Sequence, residues 1–440
     1  MECKYSYSVE LKHANKIFRD TVRIFKDAVS FCILAFESEW LNLKNLNANN
    51  KINYADHLIH TTAKNMAKYP EFDNKFYKLP SYLRRNVVSI TLGHLSSYHS
   101  NLDKWYANSC KTSKPTLQVH PNLCPSFYRD GVYKYEHIDD DIISLKLYVN
   151  HDWVFVPFKL KHTDMQYIRR HCDMSKMSAP TLEKHHKKWF LRFCFEENIM
   201  LTKKCNTVLA VDLGINTDAT CSVMSKDGTV LSRKFIDFKS EKDHLYHTLN
   251  KIRKTSRLHG SANTKKLWRH AAYYNQELAR KVAKAITDYA VLMHVDVIVF
   301  EYLDTHKKKR GKTKQKLHMW KKNTIQKLVT EKAHRNGIRI SRVCTYFTNK
   351  LAYDGSGPVL RGRDAGFFTY ELCRFQNNKI YNCDLSASYN IGARFFIREY
   401  QKSISVKKWS RVVAKVPDLV KRTLCTYKTY LDILSLNISC

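Results

Sequence analysis

The stretch Asn206-Thr207-Val208-Leu209-Ala210-Val211-Asp212-Leu213-Gly214-Ile215-Asn216 is an apolar run closed by an aspartate and a glycine-containing loop. Consecutive apolar residues without polar alternation mark a strand buried on both faces, as inside a sheet flanked by helices. An aspartate ending such a strand is costly unless it is paired or binds a cation. Downstream, Ala219, Cys221 and Val223 alternate, Lys226-Asp227-Gly228 reads as a hairpin turn, and a third strand follows over 230–235. Ser240 opens a helix, with Asp243 three residues on as in a capping box. A longer helix carries Leu267, Ala271, Tyr274, Leu278, Val282, Ile286, Tyr289 and Met293 at helical intervals. Val297-Ile298-Val299-Phe300 is a second doubly buried strand, and it too closes on an acid, Glu301. A helix with Ile325, Leu328 and Val329 stops at Gly337, a strand spans 338–343, and Asp384 starts a final helix. Three strands, helix, strand, helix, strand, helix is an RNase H-like order, so a C-terminal α/β core of that class is expected from 206 onward.

Upstream the periodicity changes. Over about 14–110, Ile17, Val22, Phe25, Val29 and Ile33 recur at helical intervals. After Pro80-Ser81, a helix start signal, Val88, Leu92, Leu95, Leu102 and Trp105 continue the pattern, with Lys and Arg between them. This predicts an amphipathic bundle with a basic outer face. Over 116–200 the reading is β. Phe127-Tyr128 and Val132-Tyr133 flank the hairpin signal Asp130-Gly131, and Leu145, Leu147 and Val149 share a face. Asn150-His151-Asp152 turns into a further strand, and Trp189, Leu191, Phe193 and Phe195 alternate again. These strands predict a small β-barrel, joined by a short strand near Tyr5 to Leu11. The whole is expected to be a multidomain α+β protein.

Composition narrows the function. The 440 residues carry a formal net charge of +35, with 44 % hydrophobic and 12 % aromatic residues. The apolar share is enough for real cores, and so large an imbalance calls for a polyanion to neutralise it. Aromatic side chains interleaved with the cations suit unpaired bases. No apolar run is long enough for a transmembrane helix, and Met1-Glu2-Cys3-Lys4-Tyr5 lacks the layout of a signal peptide. An intracellular protein with no membrane partner is therefore expected. The 13 cysteines include no Cys-x-x-Cys pair and read as small buried hydrophobes.

Asp212, Glu301 and Asp384 are the candidate catalytic residues. Two adjacent buried strands and one helix start can bring the three carboxylates together. Such a group repels itself unless divalent cations neutralise it, and hard oxygen ligands suit Mg²⁺ or Mn²⁺. Two such ions can activate a water and stabilise the leaving oxygen of a phosphodiester. Each acid alone also has a bland reading, as an N-cap for Asp384 or an ion-pair partner for Asp212 and Glu301. Asp364, in Arg361-Gly362-Arg363-Asp364-Ala365-Gly366, is a candidate supporting group. The run of Lys and Arg over His306 to Lys316 directly follows the second acidic strand and is a candidate phosphate contact.

On these residues the sequence resembles the TnpB proteins of bacterial insertion sequences and the compact type V CRISPR effectors related to them. Asp212-Leu213-Gly214-Ile215 is similar to their first RuvC motif, Ile298-Val299-Phe300-Glu301-Tyr302-Leu303 to the second, and the segment from Asp384 to Ala393 to the third. Tyr346-Phe347-Thr348-Asn349 resembles the stretch before the family's zinc ribbon. The resemblance implies a wedge strand in 1–13, a helical recognition lobe in 14–112, and a wedge β-barrel in 113–205. It implies a RuvC-like nuclease core in 206–343, a degenerate zinc-ribbon-like insertion in 344–383, the final RuvC helix in 384–400 and a basic tail in 401–440. The implied activity is RNA-guided cleavage of DNA in a single site, by the logic of guided recognition. Its partners would be a guide RNA and target double-stranded DNA, and Asp212, Glu301 and Asp384 would hold two Mg²⁺ or Mn²⁺ ions. Candidate nucleic-acid contacts are Arg84, Arg85, Lys307, Lys308, Lys309, Arg310, Arg361 and Arg363. The family usually has two Cys-x-x-Cys pairs between its second and third motifs, whereas this chain offers Cys344, Cys373 and Cys383. Zinc is therefore not expected, and Phe367, Phe368 and Tyr370 are expected to brace the insertion. The alternatives are a nuclease-inactive guided regulator, an RNA-independent transposase or resolvase on the same core, and an RNA-binding protein with an inert core. Oligomeric state has no signature in the sequence.

Overall fold

Phe18, Val22, Phe25, Val29 and Ile33 line one buried stripe of helix α1 (Phe18–Ser38), as helical spacing requires of a helix packed on a core. The computed structural model describes residues 2–11, 17–107, 113–128, 130–137, 141–185, 188–303 and 319–436. They form two units, Glu2–Glu197 and Asn198–Cys440.

In the first unit, α3 (Ser81–Ala107) packs against both α1 and α2 (Ala48–Ile59) and buries Leu83, Val87, Val88, Leu92 and Leu95. Its strands are β1 (Glu2–Leu11), β2 (Tyr133–His137), β3 (Ile142–Val149), β4 (Asp152–Lys159), β5 (Thr181–His185) and β6 (Lys188–Asn198), with helix α4 (His162–His171) between β4 and β5. The barrel expected over 113–205 does not form. The strands make two open three-stranded sheets, β1-β6-β5 and β2-β3-β4, and neither closes on itself. Closure requires every strand to find a neighbour on both sides. The outer edge of β5 is instead taken by an irregular segment. Phe127 donates its N–H to Pro180 O at 2.7 Å, and Leu182 donates to Pro125 O at 3.0 Å. The Asp130-Gly131 turn does close, with Val132 N donating to Tyr128 O at 3.1 Å, but Phe127-Tyr128 is not the opposing strand. Asn150 and His151, at φ +48° and +65°, turn β3 into β4 as their sequence suggested. Packing replaces closure: Leu145, Leu147, Trp189, Leu191, Phe193 and Phe195 share one core with α1. Phe18 carries that core across both sheets, its ring 5.3 Å from those of Phe158 and Trp189.

In the second unit the two acid-ended strands, β7 (Thr207–Asp212) and β10 (Val297–Glu301), are neighbours in a five-stranded sheet ordered β11-β10-β7-β8-β9. β7, β8 (Ala219–Ser225) and β9 (Val230–Ile236) form an antiparallel meander, whereas β10 and β11 (Arg339–Val343) run parallel to β7. This is the mixed order of an RNase H-like core. The parallel strands read as unbroken apolar runs because both faces are covered. Leu209, Val211, Ile298 and Phe300 meet α6 (Lys265–Leu292) and α7 (Lys322–Arg335) on one side. Val208, Ala210, Val297 and Val299 meet α8 (Cys383–Ser403) on the other.

Helix α5 (Lys239–His259) precedes α6 and starts one residue before Ser240, so the expected capping box is absent. Asp218 serves that end instead, accepting from the N–H of the N-cap residue Phe238 at 2.8 Å. Gly337, at φ +72°, follows the end of α7 in the left-handed region that ends helices. The insertion before α8 holds a small antiparallel sheet of β12 (Leu360–Arg361), β13 (Leu372–Arg374) and β14 (Ile380–Asn382). It is braced by Ala352, Cys373, Phe375 and Cys383, with Tyr353 and Tyr381 packed on them. Phe367, Phe368 and Tyr370 were expected there, but Phe368 and Tyr370 are fully or largely exposed and Phe367 only half-buried. The tail forms α9 (Val406–Lys415) and α10 (Tyr427–Ser435), and Val412, Val416, Leu419, Tyr430 and Ile433 join the core on the α8 side of the sheet. Among the described residues no helix is long and apolar enough to cross a membrane.

A candidate carboxylate site at the end of the central strands

Phe300 pairs with Val211 across β10 and β7, so the next residues, Glu301 and Asp212, leave two parallel strands side by side. Adjacent strands lie about 4.8 Å apart. Side chains alternate between faces, so Asp212 shares the face of Val208 and Ala210, and Glu301 that of Val297 and Val299. That is the face on which α8 packs. Asn382 caps α8, accepting from the N–H of Leu385 at 2.9 Å. Asp384, in the first turn, is thereby spared capping duty. Ser388 and Gly392 lie one and two turns on, along the same stripe of the helix. Ser388 hydrogen-bonds Ser222 of β8. At Gly392 an ideal Cβ would stand 2.4 Å from Met224 Sδ and 3.2 Å from Ala210 Cβ. The missing side chain lets α8 lie against the sheet.

Asp212 and Glu301 are 9 % and 8 % exposed. Burial raises the Asp212 carboxyl well above the usual carboxylate range, and the charges of Glu301 and Asp384 add to it, while Arg361 works against it. Burial also raises Glu301, where the Thr348 hydrogen bond and the charge of Arg394 pull the other way and Asp384 adds to the rise. Asp384 is raised by burial, with Arg361 opposing and Glu371 adding. Asp212 therefore feels both of the other acids, and Glu301 feels Asp384.

Neighbours fix Glu301. Thr348 Oγ1 donates to its Oε1, and Gln326 Nε2 donates to its main-chain oxygen at 3.0 Å. Asn390 of α8 holds Thr348 in turn, donating to Thr348 O at 2.9 Å and Leu351 O at 3.0 Å while accepting from Tyr427 N at 2.9 Å. Sequence reading gave none of these three a role. Asn390 and Thr348 lay inside quoted motif segments, which was the available signal. Gln326, a polar residue on a helix, offered none.

The other candidate residues separate. Arg361 lies near the carboxylates: its charge acts on Asp212 and Asp384, and its Nε is buried without a hydrogen-bond partner among the described residues. Arg363 and Asp364 are exposed in a short turn. In the first unit, Arg84 Nε is 3.0 Å from Asp56 Oδ1 in a mostly buried ion pair, whereas Arg85 is exposed on α3. Lys307, Lys308, Lys309 and Arg310 lie outside the described residues.

Among the described residues no three His, Cys, Asp or Glu side chains are grouped closely enough to cage an ion as they stand. The donor set nevertheless fits a hard divalent cation. It consists of carboxylates raised by burial and by one another's charge, opposed by Arg361, Arg394 and the Thr348 hydrogen bond.

Residues 5–149 match the Aq_aa04 family. The TnpB-like protein aq_aa05 of Aquifex aeolicus (strain VF5) is 26 % identical over 210 residues, taking in 43 % of this chain and 67 % of that protein. Among solved structures, the chain is similar to Cas12f1 in a Cas12f1–sgRNA–target DNA complex, with a TM-score of 0.55 and 14 % identity over 87 % of this chain and 83 % of that one. At this identity the likeness is one of fold.

Proposed function

The chain is a homologue of the TnpB-like proteins with the fold of a Cas12 effector, and on that premise we propose that it is an RNA-guided DNA endonuclease. This reading is supported by Asp212 and Glu301 sharing one face at the C-terminal ends of β7 and β10, the face on which α8 packs, and by the charges of Glu301 and Asp384 both acting on Asp212. In this reading the three carboxylates hold two divalent cations, Mg²⁺ or Mn²⁺. When bound, such ions supply an activated water and stabilise the leaving oxygen of the phosphodiester. The protein's own part is positioning. Thr348 occupies one oxygen of Glu301 and leaves the other for a ligand. Gln326 fixes the end of β10, and Asn390 ties Thr348 to α8, the helix that carries Asp384. Arg361 keeps Asp212 and Asp384 more readily ionised than burial alone would. The net charge of +35 neutralises phosphates of a guide RNA and of target double-stranded DNA.

One observation favours a second reading, guided binding without cutting: among the described residues the acids are not grouped closely enough for a ready-made ion site. Alanine variants separate the two. Asp212→Ala, Glu301→Ala and Asp384→Ala are each expected to abolish Mg²⁺-dependent cleavage while target binding stays near the parent value. A variant that cuts at the parent rate removes that residue from the mechanism.

A further inference from the structure

We propose that the second unit carries a separate pocket for one unpaired nucleotide, built by β11, α8 and the segment that follows α8. A cavity of about 460 Å³ lies there, within the usual size of small-ligand sites. Its wall includes Arg342, Arg394, Arg398 and Arg422, with Trp409 and Gln401, and no acidic side chain. Four guanidinium groups converge although their sequence positions are far apart.

Arg394 forms the buried floor. All of its hydrogen bonds go to main-chain carbonyls: Nε to Cys425 O at 3.0 Å, Nη1 to Cys344 O and Tyr346 O at 2.7 and 2.8 Å, and Nη2 to Thr423 O at 2.8 Å. These bonds fix the group without neutralising it. Arg398 has one carboxylate partner, Glu399 at 3.3 Å, and is held by Arg342 O and Ser341 Oγ at 3.0 and 2.6 Å. Arg342 sits over the ring of Tyr302, 5.7 Å from its centroid, and neither it nor Arg422 has an ion pair among the described residues. A partly buried set of four positive charges, offset by Glu399 beside Arg398 and by the charge of Glu301 acting on Arg394, is costly, and an entering anion lowers that cost.

The anion is identified by its surroundings. Trp409 is half-buried and offers an aromatic wall, and Gln401 offers both a donor and an acceptor. An aromatic face beside guanidinium groups suits a base with its phosphate. Lys407, Arg411 and Lys415 are exposed at four-residue intervals along α9, a basic ridge next to the pocket wall. A single strand following that ridge can place one base against Trp409. The pocket does not depend on the carboxylate chemistry, so its occupancy can be tested whether or not the protein cuts.

The test uses the full chain in EDTA with labelled single-stranded RNA and DNA of one sequence, about twelve nucleotides long. Binding is read by fluorescence anisotropy for the parent, Arg342→Glu/Arg422→Glu, Trp409→Ala and the charge-matched control Lys265→Glu/Lys266→Glu. Both arginines in the double variant are exposed, so the fold should survive even where Trp409→Ala disturbs α9. The pocket variants are expected to weaken binding about tenfold or more, and clearly beyond the control. Photocrosslinking with 4-thiouridine RNA and 4-thiothymidine DNA should label the peptide containing Trp409, and the strand that labels it identifies the source of the nucleotide. Equal losses in the pocket and control variants would overturn the proposal. So would an absence of crosslinks at that peptide from both strands, or equal binding of abasic strands.

Discussion

Gly392→Val tests whether the close approach of α8 to the sheet is what the fold depends on. An ideal Cβ there stands 2.4 Å from Met224 Sδ, where carbon and sulfur ordinarily keep about 3.5–4.0 Å. Met224 would have to withdraw by about 1 Å, inside a core where it is fully buried. The contact at 3.2 Å to Ala210 Cβ belongs to β7 itself, so the helix must also lift. Overpacking of this kind costs about 1–3 kcal/mol, and valine adds two methyl groups beyond Cβ, which places the cost near the upper end. Helix propensity returns only a few tenths of a kcal/mol on replacing glycine by valine. A loss of about 3 kcal/mol lowers the melting temperature of this unit by roughly 6–12 °C. Urea denaturation of the parent, Gly392→Val, Met224→Ala and the double variant forms a cycle. Met224→Ala alone should cost about 2–5 kcal/mol. The double variant should be better than the sum by about 0.5–3 kcal/mol, because the methionine removed is the atom group the valine strikes. Additive losses, or a Gly392→Val protein as stable as the parent, would refute the reasoning. Cleavage should fall with stability, since Asp384 rides on the same helix about 12 Å away.

Burial and mutual repulsion raise Asp212 in the folded state, so the folded protein binds that proton more tightly than the unfolded chain, and stability without metal should increase as pH falls through the raised value. Asp212→Asn in EDTA should therefore melt higher than the parent at pH 8, and the gain should shrink at pH 5; differential scanning fluorimetry reads both. Thr348→Val removes a hydrogen bond that lowers Glu301, so the acid limb of the cleavage pH profile should move to higher pH, with a loss of roughly tenfold in rate at neutral pH. Arg361→Gln should shift the same limb upward through Asp212 and Asp384, whereas Arg363→Gln, exposed to solvent, should leave the profile in place; matched pH–rate curves distinguish the two.

The core was legible where local pattern and tertiary role coincide. β7 and β10 announced themselves because strands covered on both faces have no polar alternation, and their acids stood out as charges at the ends of such runs. α1 was legible from the spacing of Phe25, Val29 and Ile33. Sheet closure was not legible. The alternation of Trp189, Leu191, Phe193 and Phe195 is the same whether the edge of β5 meets another strand or the irregular segment around Phe127. Aromatic content placed Phe368 and Tyr370 in the insertion without saying which way they face, and the bracing fell to Phe375 and Tyr381. Thr348, Gln326 and Asn390 act through partners distant in sequence, so their residue types alone carried no sign of the network around Glu301. The valine spacing of the tail predicted a helix, but Arg342 and Arg422 meet only once the chain has folded.

On the proposed function, the three carboxylates cut DNA chosen by a bound RNA. The most direct measurement purifies the protein with its native flanking locus expressed, sequences the RNA that accompanies it, and incubates that complex with Mg²⁺ and DNA matching the variable end of the RNA. Cleavage of matched DNA alone is expected, lost in EDTA and in Asp212→Ala while the RNA remains bound. A defined RNA with target binding but no cleavage would contradict it in favour of a guided binder, and cleavage by Asp212→Ala at the parent rate would contradict the assignment of the site.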